Sequence, residues 1–292
     1  MTATITTHSL EAPGATVVYD VRGPLPTADG TPPLLLVAQP MDASGFVTLA
    51  SLLAERTVVT YDPRGLGRSV RSDGAVEHRP DEQAEDLHLL IAALDAGPVD
   101  LFGSSGGAVT ALALVGTHPN DVRTLVAHEP PVLTVLPDAE QAAAAERRVR
   151  AAYHERGWGA GMAMFIALNA WQGELTEEFG VQPPAPAAFG LPAGDDGARN
   201  DPLLSGASAP VTAFRPDVPA LTAAPTRVVI AAGIGSRGLL TWRTSAALAA
   251  QLGVELAVFP GDHGGFFGGE FGQRGEPEAF AARLREVLTE AG

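Results

Sequence analysis

Val99-Asp100-Leu101-Phe102-Gly103-Ser104-Ser105-Gly106-Gly107-Ala108-Val109-Thr110-Ala111-Leu112-Ala113-Leu114-Val115-Gly116 is the stretch on which the reading of this chain turns. Val99 to Phe102 is a short apolar run suited to a buried strand, and Ala108 to Val115 has the small, apolar composition of a tightly packed helix. Between them, Gly103 to Gly107 form a G-x-S-x-G pattern in a strand-turn-helix setting. Such a turn reverses so sharply that its central residue is strained and side chains two positions away on either side would collide. Glycine stands at both of those positions. The turn is expected to lift the Ser105 hydroxyl above the end of a parallel sheet, while the helix starting near Gly106 directs free N–H groups at the same spot. Ser105 is thus a candidate nucleophile beside a partial positive charge.

Working outward, strand and helix patterns alternate. Thr4 to Leu10 and Thr16 to Arg22 read as a hairpin around Pro13-Gly14, and Leu34 to Ala38 as a strand buried on both faces. A loop from Gln39 to Phe46 leads to a helix over Val47 to Ala54, and Thr57 to Tyr61 is the next strand. Pro80 to Leu94 has helical spacing with acids in its first turn, where the helix dipole favours them. Val122 to Ala127 follows as a strand. The alternation predicts a parallel sheet with helices on both faces. It breaks after His128-Glu129-Pro130-Pro131: Asp138 to Ala152, Ala160 to Ala170 and Glu174 to Phe179 read as helices, and the proline-rich Val181 to Gly197 as a mobile loop. Residues 133–220 are therefore expected to be a helical insertion in a core formed by 1–132 and 221–292. Val228 to Ala232 and Val254 to Pro260 close the sheet, with helices over Trp242 to Leu252 and Pro277 to Ala291.

Composition narrows the partners. The 292 residues suit one α/β domain with an insertion, and 46% hydrophobic content suffices for a sizeable core. Thirty-four acids face 19 bases, all arginine, for a net charge of −15, and no basic run occurs. Nucleic acid and anionic membrane surfaces are therefore not expected partners. The absence of cysteine excludes disulfides, thiolate metal sites and a cysteine nucleophile. No secretory signal or membrane-span pattern is visible, so a cytoplasmic location is the expectation. Oligomeric state stays open, a homodimer included.

A serine hydroxyl needs an adjacent base, and the base an orienting acid. His263 follows the last strand in Pro260-Gly261-Asp262-His263-Gly264-Gly265-Phe266, a loop at the same carboxyl end of the sheet as Ser105. It is the candidate base. With Gly103-Ser104-Ser105-Gly106-Gly107, Gly261-Asp262-His263 and the loop Asp62-Pro63-Arg64-Gly65-Leu66-Gly67-Arg68-Ser69 in hand, the chain resembles the α/β-hydrolase family along nearly its whole length. The resemblance implies a mostly parallel eight-stranded sheet, a helical cap in the insertion, a Ser-acid-His triad in that chain order, and hydrolysis without a cofactor or metal.

Two features depart from the family. Its oxyanion loop usually opens with His-Gly after the third strand, where this chain has Val37-Ala38-Gln39-Pro40. Pro40 has no N–H. The expected oxyanion donors are the N–H groups of Gly106 and Gln39, with Met41 as the substitute. The family's commoner position for the acid, after Val228 to Ala232, reads Gly233-Ile234-Gly235-Ser236-Arg237-Gly238 and holds no carboxylate. Some members carry the acid one strand earlier, and Glu129 stands there. Asp262 is expected to project away from the base, while Asp62 and Arg64 are expected to brace their loop. Met41, Phe46, Ser104, Phe165, Trp171 and Phe266, with Met162 and Met164, are candidate substrate contacts, apolar apart from Ser104. The expected activity is that of a serine hydrolase for an ester or lactone of a small, largely apolar acyl compound; amide, thioester and carbon–carbon cleavage would use the same groups. The other reading is a catalytically weak member that binds or rearranges a metabolite.

Overall fold

The computed structural model describes residues 4–27 and 29–290. Strands β1 (Ile5–Ala12), β2 (Ala15–Arg22) and β3 (Leu34–Gln39) lead through a short 3-10 turn into α1 (Val47–Leu52), followed by β4 (Val58–Tyr61) and the two-residue β5 (Val70–Arg71). Helix α2 (Pro80–Leu94), β6 (Val99–Ser105), α3 (Gly106–Thr117) and β7 (Val122–His128) then alternate. Next come α4 (Ala139–Arg156), α5 (Trp158–Asn169), the short α6 (Ala209–Thr212) and α7 (Val218–Ala223), then β8 (Arg227–Gly233), α8 (Leu240–Leu252), β9 (Ala257–Phe259) and α9 (Pro277–Thr289). The strand order is β1-β2-β4-β3-β6-β7-β8-β9, with β5 on the side of β2. The β1–β2 and β2–β4 pairs are antiparallel, and every pair from β4 to β9 is parallel.

The continuous apolar runs follow from burial on both faces. In β3, Leu35 and Val37 pack toward α2, α3 and α8, while Leu34, Leu36 and Ala38 pack toward α1 and α9. A third cluster, built from Leu133, Val149, Tyr153, Met164, Phe179 and Leu204 among others, is the interior of the helical segment between β7 and β8. Among the described residues no strand interrupts that segment, and no helix is long and apolar enough to cross a membrane.

Two expectations need correction. Glu174 to Phe179 is a turn rather than a helix: glycines with positive φ (Gly173, 76°; Gly180, 76°) bracket it, and the Leu175 N–H donates to the Asp138 carboxylate at 2.6 Å. The last strand is Ala257–Phe259, because the N–H of Val254 caps α8 on the Ala249 carbonyl at 3.0 Å and cannot join the sheet. The short β5, α6 and α7 were not expected. The proline-rich stretch contains one 3-10 turn, Pro186–Phe189. Helix α9 is described to Thr289, and Ala291 lies outside the described residues.

The glycines around Ser105 are close-approach glycines. A Cβ on Gly107 would stand 2.4 Å from the Val37 carbonyl oxygen and 2.5 Å from the Ala38 Cα, and one on Gly103 would stand 2.8 Å from the Ala108 Cα. Since these neighbours are backbone, they cannot swing aside. Gly107→Ala is expected to destabilise the fold by about 2 kcal/mol or more, read as a lower urea midpoint at unchanged slope.

Candidate active site

Strand β6 runs into α3 without an intervening loop, and Ser105 absorbs the reversal at φ 54°, ψ −126°. A non-glycine residue there is strained, and the surrounding packing must hold it. Ser105 is half-buried, and its Oγ makes no hydrogen bond among the described residues. The hydroxyl is thus presented, without an internal partner, at the amino terminus of a 12-residue helix.

The neighbouring strand ends in a second strained residue. Glu129, just past β7, has φ 50° and is completely buried. Its N–H is fixed to the Ala231 carbonyl at 2.9 Å. Its Oε1 accepts from the Gly233 N–H at 2.9 Å, and its Oε2 from the Thr241 hydroxyl at 2.6 Å. Oε2 also lies 2.7 Å from Nδ1 of His263. Burial alone would raise the pKa of this carboxyl, but the hydrogen bond to His263 and the imidazole's charge outweigh it and hold Glu129 well below the usual carboxylate range. For His263 the balance is mirrored. The protein around the ring would lower its pKa, and the hydrogen bond to and charge of Glu129 overcome this and raise it above the ordinary histidine value. The side chain of His263 is nonetheless 45% exposed, so one edge of the ring is reachable from solvent.

The loop after β8, which holds no carboxylate, takes part through its backbone. Gly233 supplies an N–H to Glu129, and Gly235 donates to the Gly261 carbonyl at 2.7 Å, which ties this loop to the one that carries His263. Asp262 turns away, its carboxylate accepting from the Gly264 N–H at 2.9 Å. Sequence reasoning missed Thr241, which lies 112 residues from Glu129 in a helix with no local sign of such a contact.

His128 is fully buried among Phe102, Phe259, Phe266 and Phe280. Burial in this aromatic cage drops its pKa to about 4, so it is neutral at physiological pH. Its ring lies 6.3 Å from that of His263, and its Nδ1 lies 3.5 Å from the Ser104 Oγ. Ser104 is 2% exposed and engaged with His128, so it faces the interior and not a substrate space. Phe46 and Phe266 likewise stack on each other at 5.4 Å in the core beneath α1, although both had been expected as substrate contacts. Trp171 lines a separate hollow of about 460 Å³ with Met164 and Phe179, bounded by none of Ser105, Glu129 or His263. Met41 and Phe165 remain half-buried, the first after β3 and the second on α5.

Gln39 also needs correction. In a parallel ladder the pairing of Gln39 with Ser105 has two possible hydrogen-bond phases, and one of them requires an N–H on residue 40. Pro40 removes that phase. The remaining one gives the Gln39 N–H to the Ser104 carbonyl and turns the Gln39 carbonyl toward the Gly106 N–H. A Cβ built on Gly106 would accordingly lie only 2.7 Å from that carbonyl oxygen. The Gln39 N–H is therefore not free to serve an oxyanion. Its side chain reaches the helical insertion instead, with Nε2 donating to the Ser208 Oγ at 3.2 Å and Oε1 buried without a partner. Asp62 and Arg64 brace their loop as expected. Asp62 accepts from the N–H groups of Ala43 and Arg68, and the buried Arg64 forms a two-pronged pair with Asp86.

A sequence model described as the alpha/beta hydrolase fold matches residues 33–158. A Bacillus subtilis protein, the uncharacterized hydrolase YraK, is 31% identical over 274 residues, covering 93% of this chain and 95% of its own. The chain belongs to the α/β-hydrolase family. Solved structures share the architecture: a thermophilic esterase from Thermogutta terrifontis superposes with a TM-score of 0.64 at 21% identity, covering 98% of each chain. The enol-lactonase from Burkholderia xenovorans LB400 gives 0.63 at 16% identity, covering 97% of this chain and 100% of its own. At such identities the likeness speaks for the fold alone.

Proposed function

We propose that this α/β-hydrolase cleaves an ester or lactone of a small, largely apolar substrate through Ser105, His263 and Glu129. The observation that carries the reading is the 2.7 Å contact between the His263 Nδ1 and the buried Glu129, at the strand ends beside Ser105. In this mechanism the Nε2 of His263 takes the Ser105 proton as Oγ attacks the carbonyl carbon, and Glu129 stabilises the imidazolium that forms. The Gly106 N–H leaves the Gln39 carbonyl for the developing oxyanion. The Met41 N–H, which makes no hydrogen bond among the described residues, takes the place expected of Gln39. His263 then gives its proton to the leaving oxygen, and water repeats the sequence to free Ser105 and the acid. The apolar substrate class is carried over from the sequence reading, with the half-buried Met41 and Phe165 as its candidate contacts.

One observation favours a second reading, a weak hydrolase that mainly binds its ligand: the Gln39 carbonyl competes for the Gly106 N–H and would repel an oxyanion placed there. The pH dependence of acylation separates the two. A base must be neutral, and Glu129 raises the pKa of His263, so kcat/KM for a p-nitrophenyl acyl ester is expected to rise through one ionisation with its midpoint above the ordinary histidine value of about 6.5. His263→Ala removes both the rise and most of the rate. A profile flat between about pH 5 and 9 contradicts the base assignment and favours the binding protein.

A further inference from the structure

At the amino-terminal end of the sheet, opposite Ser105, Glu129 and His263, two histidines meet face to face. His88 lies on α2, His118 caps the carboxyl end of α3, and Asp121 sits in the turn that feeds β7. The two rings are 3.9 Å apart between centroids and 9° from parallel. Each holds a carboxylate on one nitrogen: Nδ1 of His88 lies 2.6 Å from the Asp121 Oδ2, and Nε2 of His118 lies 2.9 Å from the Glu85 Oε1. One donor atom from each of His88, His118 and Asp121 falls within 4.8 Å of the other two.

Two rigid supports present this cluster. Glu85 and His88 are three residues apart on one helix and share a face. His118 and Asp121 are three apart in a turn that the Asp121 N–H closes on the His118 carbonyl at 3.1 Å. Charge favours a cation here, because the negative end of the α3 dipole points at the site and the chain carries −15 overall. We infer that His88, His118 and Asp121, with Glu85 completing the set, bind a zinc-type divalent transition metal ion. Two imidazoles and two carboxylates suit zinc, cobalt or nickel, whereas magnesium and calcium prefer oxygen-only shells. Binding exchanges protons on the ring nitrogens for the metal, and the rings turn from parallel to convergent. Both imidazoles can do so, being 37% and 25% exposed. The ion would clamp α2 to the turn before β7, about 26 Å of extended chain from Glu129 at the far end of that strand.

The test is a titration of the full-length, chelator-treated protein with cobalt(II) chloride, followed by visible absorption, with zinc(II) as competitor. The expected result is one cobalt per chain with the intense bands of four-coordinate cobalt, displaced by zinc. His118→Ala and His88→Gln should each weaken binding about tenfold or more. Zinc should raise the Tm of the parent and leave that of His118→Ala unmoved, while His263→Ala should bind cobalt as the parent does. The inference is overturned by a titration without saturable absorption, by unchanged affinity in the His88 and His118 variants, or by loss of binding in His263→Ala.

Discussion

Ser105→Ala is expected to lower turnover of a p-nitrophenyl acyl ester by about 10⁴-fold or more while the protein unfolds at nearly the parent temperature. The two halves of this expectation have separate grounds. The Ser105 Oγ has no hydrogen bond to another described residue, so removing it breaks no internal contact, and alanine carries the same φ of 54° at no greater cost than serine. The stability change should stay within about 0.5 kcal/mol. Loss of the rate follows if Oγ forms the bond to the acyl carbon, because no other group at the site can take that part. Ser104 is the nearest rival in sequence, but it is buried against His128. A fluorophosphonate probe should therefore label the parent and Ser104→Ala but not Ser105→Ala. Should Ser105→Ala keep more than a few per cent of the parent rate, or still take the label, the nucleophile lies elsewhere. A parent that neither turns over the ester nor takes the label leaves the binding reading standing.

What could be read in advance follows a physical line between local and distant determinants. The turn at Ser105 is fixed within five residues by collisions that glycine avoids, so Gly103 and Gly107 announce it in the chain. Buried strands such as Leu34–Gln39 carry their two-sided environment in their composition. The shorter β9 and the unformed helix after Gly173 were not legible, because each depends on one hydrogen bond to a group outside its own pattern: Val254 to Ala249, and Leu175 to Asp138. Gln39 shows the same limit at the site. That Pro40 lacks an N–H is visible in the sequence, but that this forces the ladder phase which consumes the Gln39 N–H follows only from its register with Ser105. The surroundings of Glu129 come from Gly233 and Thr241, 104 and 112 residues away, and no local pattern encodes them.

Glu129→Gln carries the second large effect. Glutamine keeps the shape of the side chain and can still accept from the Gly233 N–H, so the fold and substrate binding should change little. The contact with His263 changes character. An ionised carboxylate accepts the Nδ1 proton and stabilises positive charge on the ring, whereas a carboxamide is neutral and can turn its NH₂ toward Nδ1, which favours the tautomer with the proton on Nε2. That tautomer cannot take the Ser105 proton. A fall in kcat of about 10²- to 10⁴-fold at nearly constant KM is expected. A second readout separates this role from a structural one. Glu129 raises the pKa of His263, so the residual activity of Glu129→Gln should rise with pH at a lower midpoint than in the parent. Ser236→Ala, at the loop where the family more often keeps its acid, should alter neither rate nor midpoint. A Glu129→Gln variant with the parent's kcat and midpoint would remove Glu129 from the mechanism. A variant whose rate falls while the midpoint stays fixed would mark it as a brace for the β7–β8 strand ends that leaves the base untouched.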